Sequence, residues 1–143
     1  MISVEQAKKI ILENTQDFGV KEIPFIKSVG RILKEEIVAD RDFPPFNRVS
    51  MDGIAIVHVF FVEGQRSFKI EGVQAAGSEQ LTLKNTQNCI EVMTGSMLPN
   101  NCDVVIPYEQ VTIENGLATI HIDTIDYYKN IHKKGNDKKI GDI

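Results

Sequence analysis

Tryptophan is absent from the 143-residue chain, and cysteine occurs only twice. Cys89 and Cys102 do not form a Cys-x-x-Cys pair and have no histidine at metal-ligand spacing. We therefore expect reduced thiols and a cytoplasmic location rather than a disulfide or a zinc site. Long apolar runs are also missing, since none approaches the ~20 residues that a membrane-spanning helix needs. The first six residues lack the basic start and apolar stretch of a signal peptide, so we expect no membrane partner.

Basic residues are too few for a nucleic-acid-binding surface. The chain has 16 Lys and Arg against 20 Asp and Glu, a formal net charge of −4, whereas nucleic-acid binding favours a basic face. Apolar residues make up 42% and charged residues 25% of the chain, which is typical of a globular protein. The length suits one domain or two small ones.

Residues 1–45 predict a small helical piece. Ser3 and Gln6 have the spacing of a capping box and precede apolar residues at helical intervals, so we expect a helix over about 4–14. Residues 21–27 include a proline and predict a short extended edge segment.

A second helix is predicted after Ser28, although Gly30 disfavours it by about 1 kcal/mol relative to alanine. Its apolar face would consist of Val29, Ile32, Leu33 and Ile37. Such a stripe needs a surface to pack on, either the first helix or a partner outside this chain.

After Pro45 the pattern changes to short apolar and β-branched runs about a dozen residues apart, which predict an antiparallel sandwich or barrel. The runs are Ile54–Val62, Phe68–Glu71, Asn88–Met93, Asp103–Ile106, Glu109–Ile113 and Leu117–Ile122. Asn115-Gly116, between the last two runs, predicts a type I′ hairpin turn. The predicted class is α+β: a helical piece over 1–45, completed by the chain near 138–143 and beyond, and an all-β sandwich or barrel-like domain over 46–137.

Asp52 is the first candidate for function. The chain reaches it through Pro44 and Pro45, which favour an extended connector, and Gly53 and a strand follow. A carboxylate presented there by a scaffold can hold a divalent cation or orient a ligand. The alternative is an Asx-turn, in which the side chain bonds its own backbone ahead of the glycine.

The second candidate is Thr94-Gly95-Ser96, directly after a predicted strand. Backbone N–H groups around a glycine can bind an anion, with a hydroxyl as a further donor; the alternative is a plain strand-to-turn connection. The segment is not a Walker A loop, because it lacks the required lysine and second glycine.

The third candidate is the basic run 130–137. His132, Lys133 and Lys134 could contact phosphate groups beside Asp137, or the run could be a solvated surface. The chain stops at Ile143 in the middle of an unfinished pattern, which predicts a fragment of a longer protein.

Together the three segments resemble the molybdopterin molybdenumtransferase family, which includes the bacterial MoeA proteins and the E-domain of gephyrin. Over 43–55 the family pattern is roughly P-x-F-D/N-x-S-x-M-D-G-Y/F-A. The resemblance recurs over 90–99, in I/V-x-T-G-A/G-x-V/L/M-P, and over 130–141, in N-I/V-R-x-x-G-E-D-I-x-x-G. Departures from these patterns include Ile54 in place of an aromatic residue, His132 in place of an arginine and Asn136 in place of a glutamate. Val49 and Ser50 also blur the serine position before Met51.

The resemblance implies insertion of molybdenum from molybdate into adenylated molybdopterin, with release of AMP and with a divalent cation such as Mg²⁺. It implies Asp52, Thr94 and Asp137 as catalytic residues and Asp52 as a metal ligand. The implied substrate-binding residues are Ser50, Met51, Gly53, Gly95, Ser96, His132, Lys133 and Lys134.

The resemblance also implies a homodimer whose active cleft includes an α/β domain that is absent from this chain. We therefore expect the chain alone to be inactive. Two alternatives stay open: a gephyrin-like scaffold or interaction module without catalysis, and a small β-barrel that binds a ligand by itself.

Overall fold

The computed structural model describes all 143 residues and divides them into two units, Met1–Ile37 and Val38–Ile143. None of its helices is both long and apolar enough to cross a membrane.

The first unit contains helix α1, Val4–Glu13, as predicted. Its start is a capping box: Gln6 N–H donates to Ser3 Oγ over 3.1 Å, and Ser3 N–H donates to Gln6 Oε1 over 2.9 Å. These two bonds satisfy backbone donors that a helix start otherwise leaves unpaired. No residue of α1 is buried.

The predicted second helix is wrong, and residues 28–37 carry no regular secondary structure. The Ser28 hydroxyl donates backwards to the Phe25 carbonyl oxygen over 2.6 Å instead of capping a helix. Gly30 has a φ of 79°, a left-handed conformation that interrupts a right-handed helix. The apolar stripe from Val29 to Ile37 stays exposed, and without burial a short helix gains too little stability to form. The predicted extended segment at 21–27 is also wrong in part, because Phe25–Lys27 forms a 3-10 turn.

The second unit is built on a six-stranded sheet that curls as a half-barrel, and the α+β class is confirmed. Its strands are β2 (Gly53–Ile56), β3 (Ser67–Gln74), β4 (Cys89–Val92), β5 (Val104–Pro107), β6 (Val111–Glu114) and β7 (Leu117–Ile120), in the order β5-β2-β4-β3-β7-β6. A separate two-stranded sheet pairs β1 (Arg48–Val49) with β8 (Ile131–His132). Asn115 and Gly116 both have positive φ, 52° and 77°, which confirms the hairpin turn between β6 and β7.

The prediction of an antiparallel sheet is wrong for one pair of strands. Strands β3 and β4 run parallel, with Gln74 opposite Val92, because a long connection over 75–88 returns the chain to the starting end of the sheet. The predicted run Glu109–Ile113 is also shorter as a strand, since a 3-10 turn occupies Tyr108–Gln110.

The predicted strand Ile54–Val62 ends early, and helix α2 occupies His58–Val62. His58 N–H donates to Oδ1 of Asp103 over 2.6 Å. The carboxylate therefore caps the helix start from a distant part of the chain, a position where negative charge stabilises a helix. Phe61 then turns inward and is buried in the core.

Side chains of β2 alternate between two apolar clusters. Ile54 and Ile56 join Phe68 in one cluster, whereas Ala55 joins the other. Cys89 lies in the first cluster and Cys102 in the second. Both are free thiols, as expected, and burial raises the pKa of each to about 12.

The two ends of the second unit are hydrogen-bonded to each other. Ala39 N–H donates to the Asp142 carbonyl oxygen over 2.8 Å, and Phe43 N–H donates to the Lys138 carbonyl oxygen over 2.7 Å. Residues 39–43 and 138–142 thus form one pair of segments. The division of the chain into 1–45 and 46–137 stays a prediction.

Candidate functional site at one edge of the sheet

Four strand ends meet at one edge of the six-stranded sheet. Gly53, at the start of β2, is opposite both Val92 of β4 and Pro107 of β5. Gln74, at the end of β3, is opposite Val92 as well. Because β2 runs antiparallel to β4 and β5, the segment before β2 lies beside the segments that follow the other three strands.

Asp52 and Thr94 contact each other at this edge. The backbone N–H of Thr94 donates to Oδ1 of Asp52 over 2.6 Å. The backbone of Asp52 is fixed too, since Tyr108 N–H donates to its carbonyl oxygen over 3.1 Å. The Asp52 side chain therefore bonds a residue 42 positions away instead of closing an Asx-turn on its own backbone. Both side chains remain exposed to solvent.

The Asp52 carboxyl is held in its charged form by this contact. The Thr94 hydroxyl and, after it, the Thr94 backbone N–H lower the pKa of Asp52, because hydrogen bonds to a carboxylate favour ionisation. The site therefore presents an accessible negative charge that persists into mildly acidic solution.

The turn after β4 brings Thr94 to Asp52. Ser96 N–H donates to the Met93 carbonyl oxygen over 3.0 Å, and Gly95 has a φ of 86°, which favours glycine at the third position of a type II turn. Gly95 N–H and the Ser96 carbonyl oxygen both bond Val49 of β1, each over 2.9 Å. The N–H groups of Thr94 and Gly95 are thus occupied within the chain.

Ser96 itself is 1% exposed, and its hydroxyl oxygen has no hydrogen-bond partner. Its role in substrate binding stays a prediction, as do the roles of Ser50 and Met51, which are both exposed.

Gly53 is required by the packing of β2 on β5. A Cβ atom added at Gly53 would lie 1.9 Å from the carbonyl oxygen of Ile106. A side chain at this position would therefore force apart the two strands that support Asp52.

The basic segment forms a second group of residues, next to β1. His132 of β8 is opposite Arg48, and His132 Nε2 lies 2.6 Å from Oδ1 of Asp137. Lys134 N–H donates to Asn47 Oδ1 over 3.0 Å. Lys134 Nζ lies 3.6 Å from Asp42 Oδ2. Lys133 Nζ lies 4.8 Å from the centre of the Tyr128 ring.

Strand β1 is adjacent to both groups. Val49 bonds the Gly95–Ser96 turn and is opposite Ile131 of β8, and Ser50 N–H donates to the Asn130 carbonyl oxygen over 3.1 Å. No hydrogen bond or ion pair joins Asp137 to Asp52 or Thr94. The structure therefore brings two of the three predicted catalytic residues into contact and holds the third on the opposite flank of β1.

The prediction missed Tyr108 next to Asp52. Burial, the hydrogen bond that the Tyr108 hydroxyl donates to the Glu91 carboxylate, and the negative charges of Glu91 and Asp52 all raise the pKa of Tyr108. The signal was available in part: pairing the run that begins at Ile54 with the run that ends at Ile106 in antiparallel register places Tyr108 beside Asp52.

No group of three or more His, Cys, Asp or Glu side chains is arranged to hold a metal ion. At the edge of the sheet where Asp52 contacts Thr94, Asp52 supplies one accessible carboxylate. Because Mg²⁺ is commonly held by one or two carboxylates together with water and substrate phosphates, Asp52 fits part of such a site.

Comparison with known proteins gives a consistent result. The sequence model of the family described as MoeA N-terminal region (domain I and II) matches residues 2–143. A molybdopterin molybdenumtransferase of Synechocystis is 42% identical over 144 residues, covering 100% of this chain and 37% of that protein. One of Staphylococcus epidermidis is 32% identical over 146 residues, covering 99% of this chain and 35% of that protein.

A solved structure is similar as well. The crystal structure of the molybdopterin biosynthesis MoeA protein of Pyrococcus horikoshii superposes with a TM-score of 0.73 at 30% identity, covering 99% of this chain and 37% of that one. The chain thus spans little more than a third of the length of the proteins that it matches. With the family match over nearly every residue, the chain belongs to the MoeA N-terminal region family.

Proposed function

We propose that this chain is the N-terminal part of a molybdopterin molybdenumtransferase and forms one wall of its active site. The proposed reaction transfers molybdenum from molybdate into adenylated molybdopterin and releases AMP. The observation that carries the proposal is the Thr94 N–H bond to the Asp52 carboxylate, in a chain whose relatives are named molybdopterin molybdenumtransferase. That name does not favour the alternative of a scaffold module without catalysis.

Asp52 is assigned to cation binding. Its carboxylate is exposed and its pKa is lowered, so the side chain can offer an anionic oxygen to Mg²⁺ without first losing a proton. A cation at this place would neutralise charge on phosphate oxygens of the adenylated substrate. The other ligands would come from water, from the substrate or from the part of the protein outside this chain.

Thr94 is assigned to holding Asp52, because its N–H and its hydroxyl both favour the charged carboxylate. It is exposed at the end of β4 and touches the carboxylate directly. It therefore fixes the direction in which Asp52 points, which matters because positioning of charged groups contributes much of the rate in phosphoryl chemistry.

Asp137, His132, Lys133 and Lys134 are assigned to the flank that faces the substrate phosphate. Lys134 is held by Asn47 and Asp42, and His132 by Asp137. These bonds and the pairing of β8 with β1 hold the segment in place.

The proposal includes a longer polypeptide, since the chain covers 35–37% of the two curated relatives. The family resemblance supports a homodimer, Mg²⁺ dependence and a cytoplasmic location. The remaining wall of the cleft would come from the segments beyond this one.

The proposed function is tested by Asp52→Asn in the full-length protein, with AMP release and molybdenum incorporation as readouts. We expect a loss of roughly 100-fold, as is typical when a group that stabilises developing charge is removed. Asp123→Asn is the matched control, because Asp123 is exposed and forms no hydrogen bond or ion pair. Wild-type rates in Asp52→Asn would remove Asp52 from the site.

A further inference from the structure

Gln74 is one of two buried polar residues in the chain and has no exposed surface. Its Nε2 donates to Ser78 Oγ over 2.8 Å and to the Glu79 carbonyl oxygen over 3.1 Å. Its Oε1 accepts the Leu81 N–H over 2.6 Å. Burial of an amide costs free energy unless the amide is hydrogen-bonded. These bonds offset that cost and fix the loop 75–81 to the end of β3.

The loop 75–81 lies beside the turn that carries Thr94. The Gln74 carbonyl oxygen accepts the Met93 N–H over 3.2 Å. Because β3 and β4 are parallel, the two connections leave the sheet at the same edge. A Cβ atom on Gly95, which glycine lacks, would lie at the ordinary contact distance of 3.9 Å from the Cβ of Ala76. The space between the loop and the turn at this point would therefore be filled by a methyl group.

The same loop is tied to the chain that follows the turn. Gln80 Nε2 donates to the Leu98 carbonyl oxygen over 2.7 Å, and Asn100 N–H donates to the Leu81 carbonyl oxygen over 2.9 Å. Val49 of β1 thus holds the turn, and the loop 75–81 holds the chain that directly follows it. The loop in turn is held by the side chain of Gln74.

We propose that Gln74 is a positioning residue for the Asp52–Thr94 site. Its side chain holds the loop 75–81 beside the turn 93–96 and bonded to residues 98–100, and the turn holds the Thr94 N–H at Asp52. The relevance of this arrangement to catalysis rests on the proposed function. The arrangement itself is a property of this chain.

The test is Gln74→Leu in the isotopically labelled 143-residue chain, with the Thr94 amide followed by NMR. A short hydrogen bond to a carboxylate moves an amide proton resonance downfield and slows its exchange. We expect the Thr94 resonance of Gln74→Leu to move upfield and its exchange to accelerate roughly fivefold, as the loss of one hydrogen bond gives.

Gln65→Leu is the matched control. Gln65 lies just before the other end of β3, and its amide donates to the Ser67 and Gln87 carbonyl oxygens over 2.8 and 2.7 Å. We expect Gln65→Leu to lower stability and to leave the Thr94 resonance in place. If the role of Gln74 were purely structural, Gln74→Leu would behave in the same way. An unchanged Thr94 resonance and exchange rate in folded Gln74→Leu would overturn the proposal.

Ser78→Ala keeps the proposal testable if Gln74→Leu does not fold. Ser78 is exposed, so the variant removes one acceptor of the Gln74 amide and spares the core. We expect a smaller upfield movement of Thr94, and no movement would overturn the proposal. Neither measurement needs turnover, so its outcome is separate from that of Asp52→Asn.

Discussion

Thr94 donates its backbone N–H to Oδ1 of Asp52 over 2.6 Å. This bond joins two segments, and the sequence of either segment alone is only a weak indication of a functional site. Asp52 precedes β2 and Thr94 follows β4, and the antiparallel register of these strands places them side by side. The bond both orients the carboxylate and favours its ionisation.

Thr94→Val removes the hydroxyl that lowers the pKa of Asp52 most. Because the carboxylate is the form that binds a cation, a higher pKa moves the acid limb of the activity profile of the full-length protein toward higher pH. Thr94→Ser, which keeps the hydroxyl, should retain the wild-type acid limb. The measurement is the rate of AMP release as a function of pH. An acid limb at the same pH in Thr94→Val and wild type would show that the hydroxyl does not act through Asp52.

Gly53→Ala should destabilise the sheet at the site. The added Cβ would lie 1.9 Å from the Ile106 carbonyl oxygen, so β2 and β5 must separate, at a cost of about 3 kcal/mol. Gly72→Ala is the control in the same sheet, since the nearest atom to its Cβ would be Leu81 Cδ1 at an ordinary 3.6 Å. We expect that variant to change stability by less than about 1 kcal/mol. Chemical denaturation measures both, and equal stabilities would refute the close approach at Gly53.

Local chemistry was sufficient to predict some elements of the fold. The capping box of Ser3 and Gln6 predicted the start of α1, and Asn115-Gly116 predicted the hairpin, because each signal acts within a few residues. Helix α2 was missed because its cap, Asp103, lies 45 residues away. The predicted second helix failed because an apolar stripe stabilises a helix only when something covers it.

The candidate site shows the same distinction between local and distant signals. From its neighbours alone, Asp52 fitted an Asx-turn as well as a ligand site, and only the order of three motifs favoured function. Gln74 carries no local motif. Its importance depends on the parallel pairing of β3 and β4, which the alternating pattern did not reveal.

We propose that this chain supplies one wall of an active site whose other wall lies elsewhere in the full-length protein. The most direct test is AMP release from adenylated molybdopterin by the folded 143-residue chain, with molybdate and Mg²⁺ present and the full-length protein assayed in parallel. We predict no release above the uncatalysed background by the chain alone and sustained release by the full-length protein. Full turnover by the chain alone would contradict this proposal.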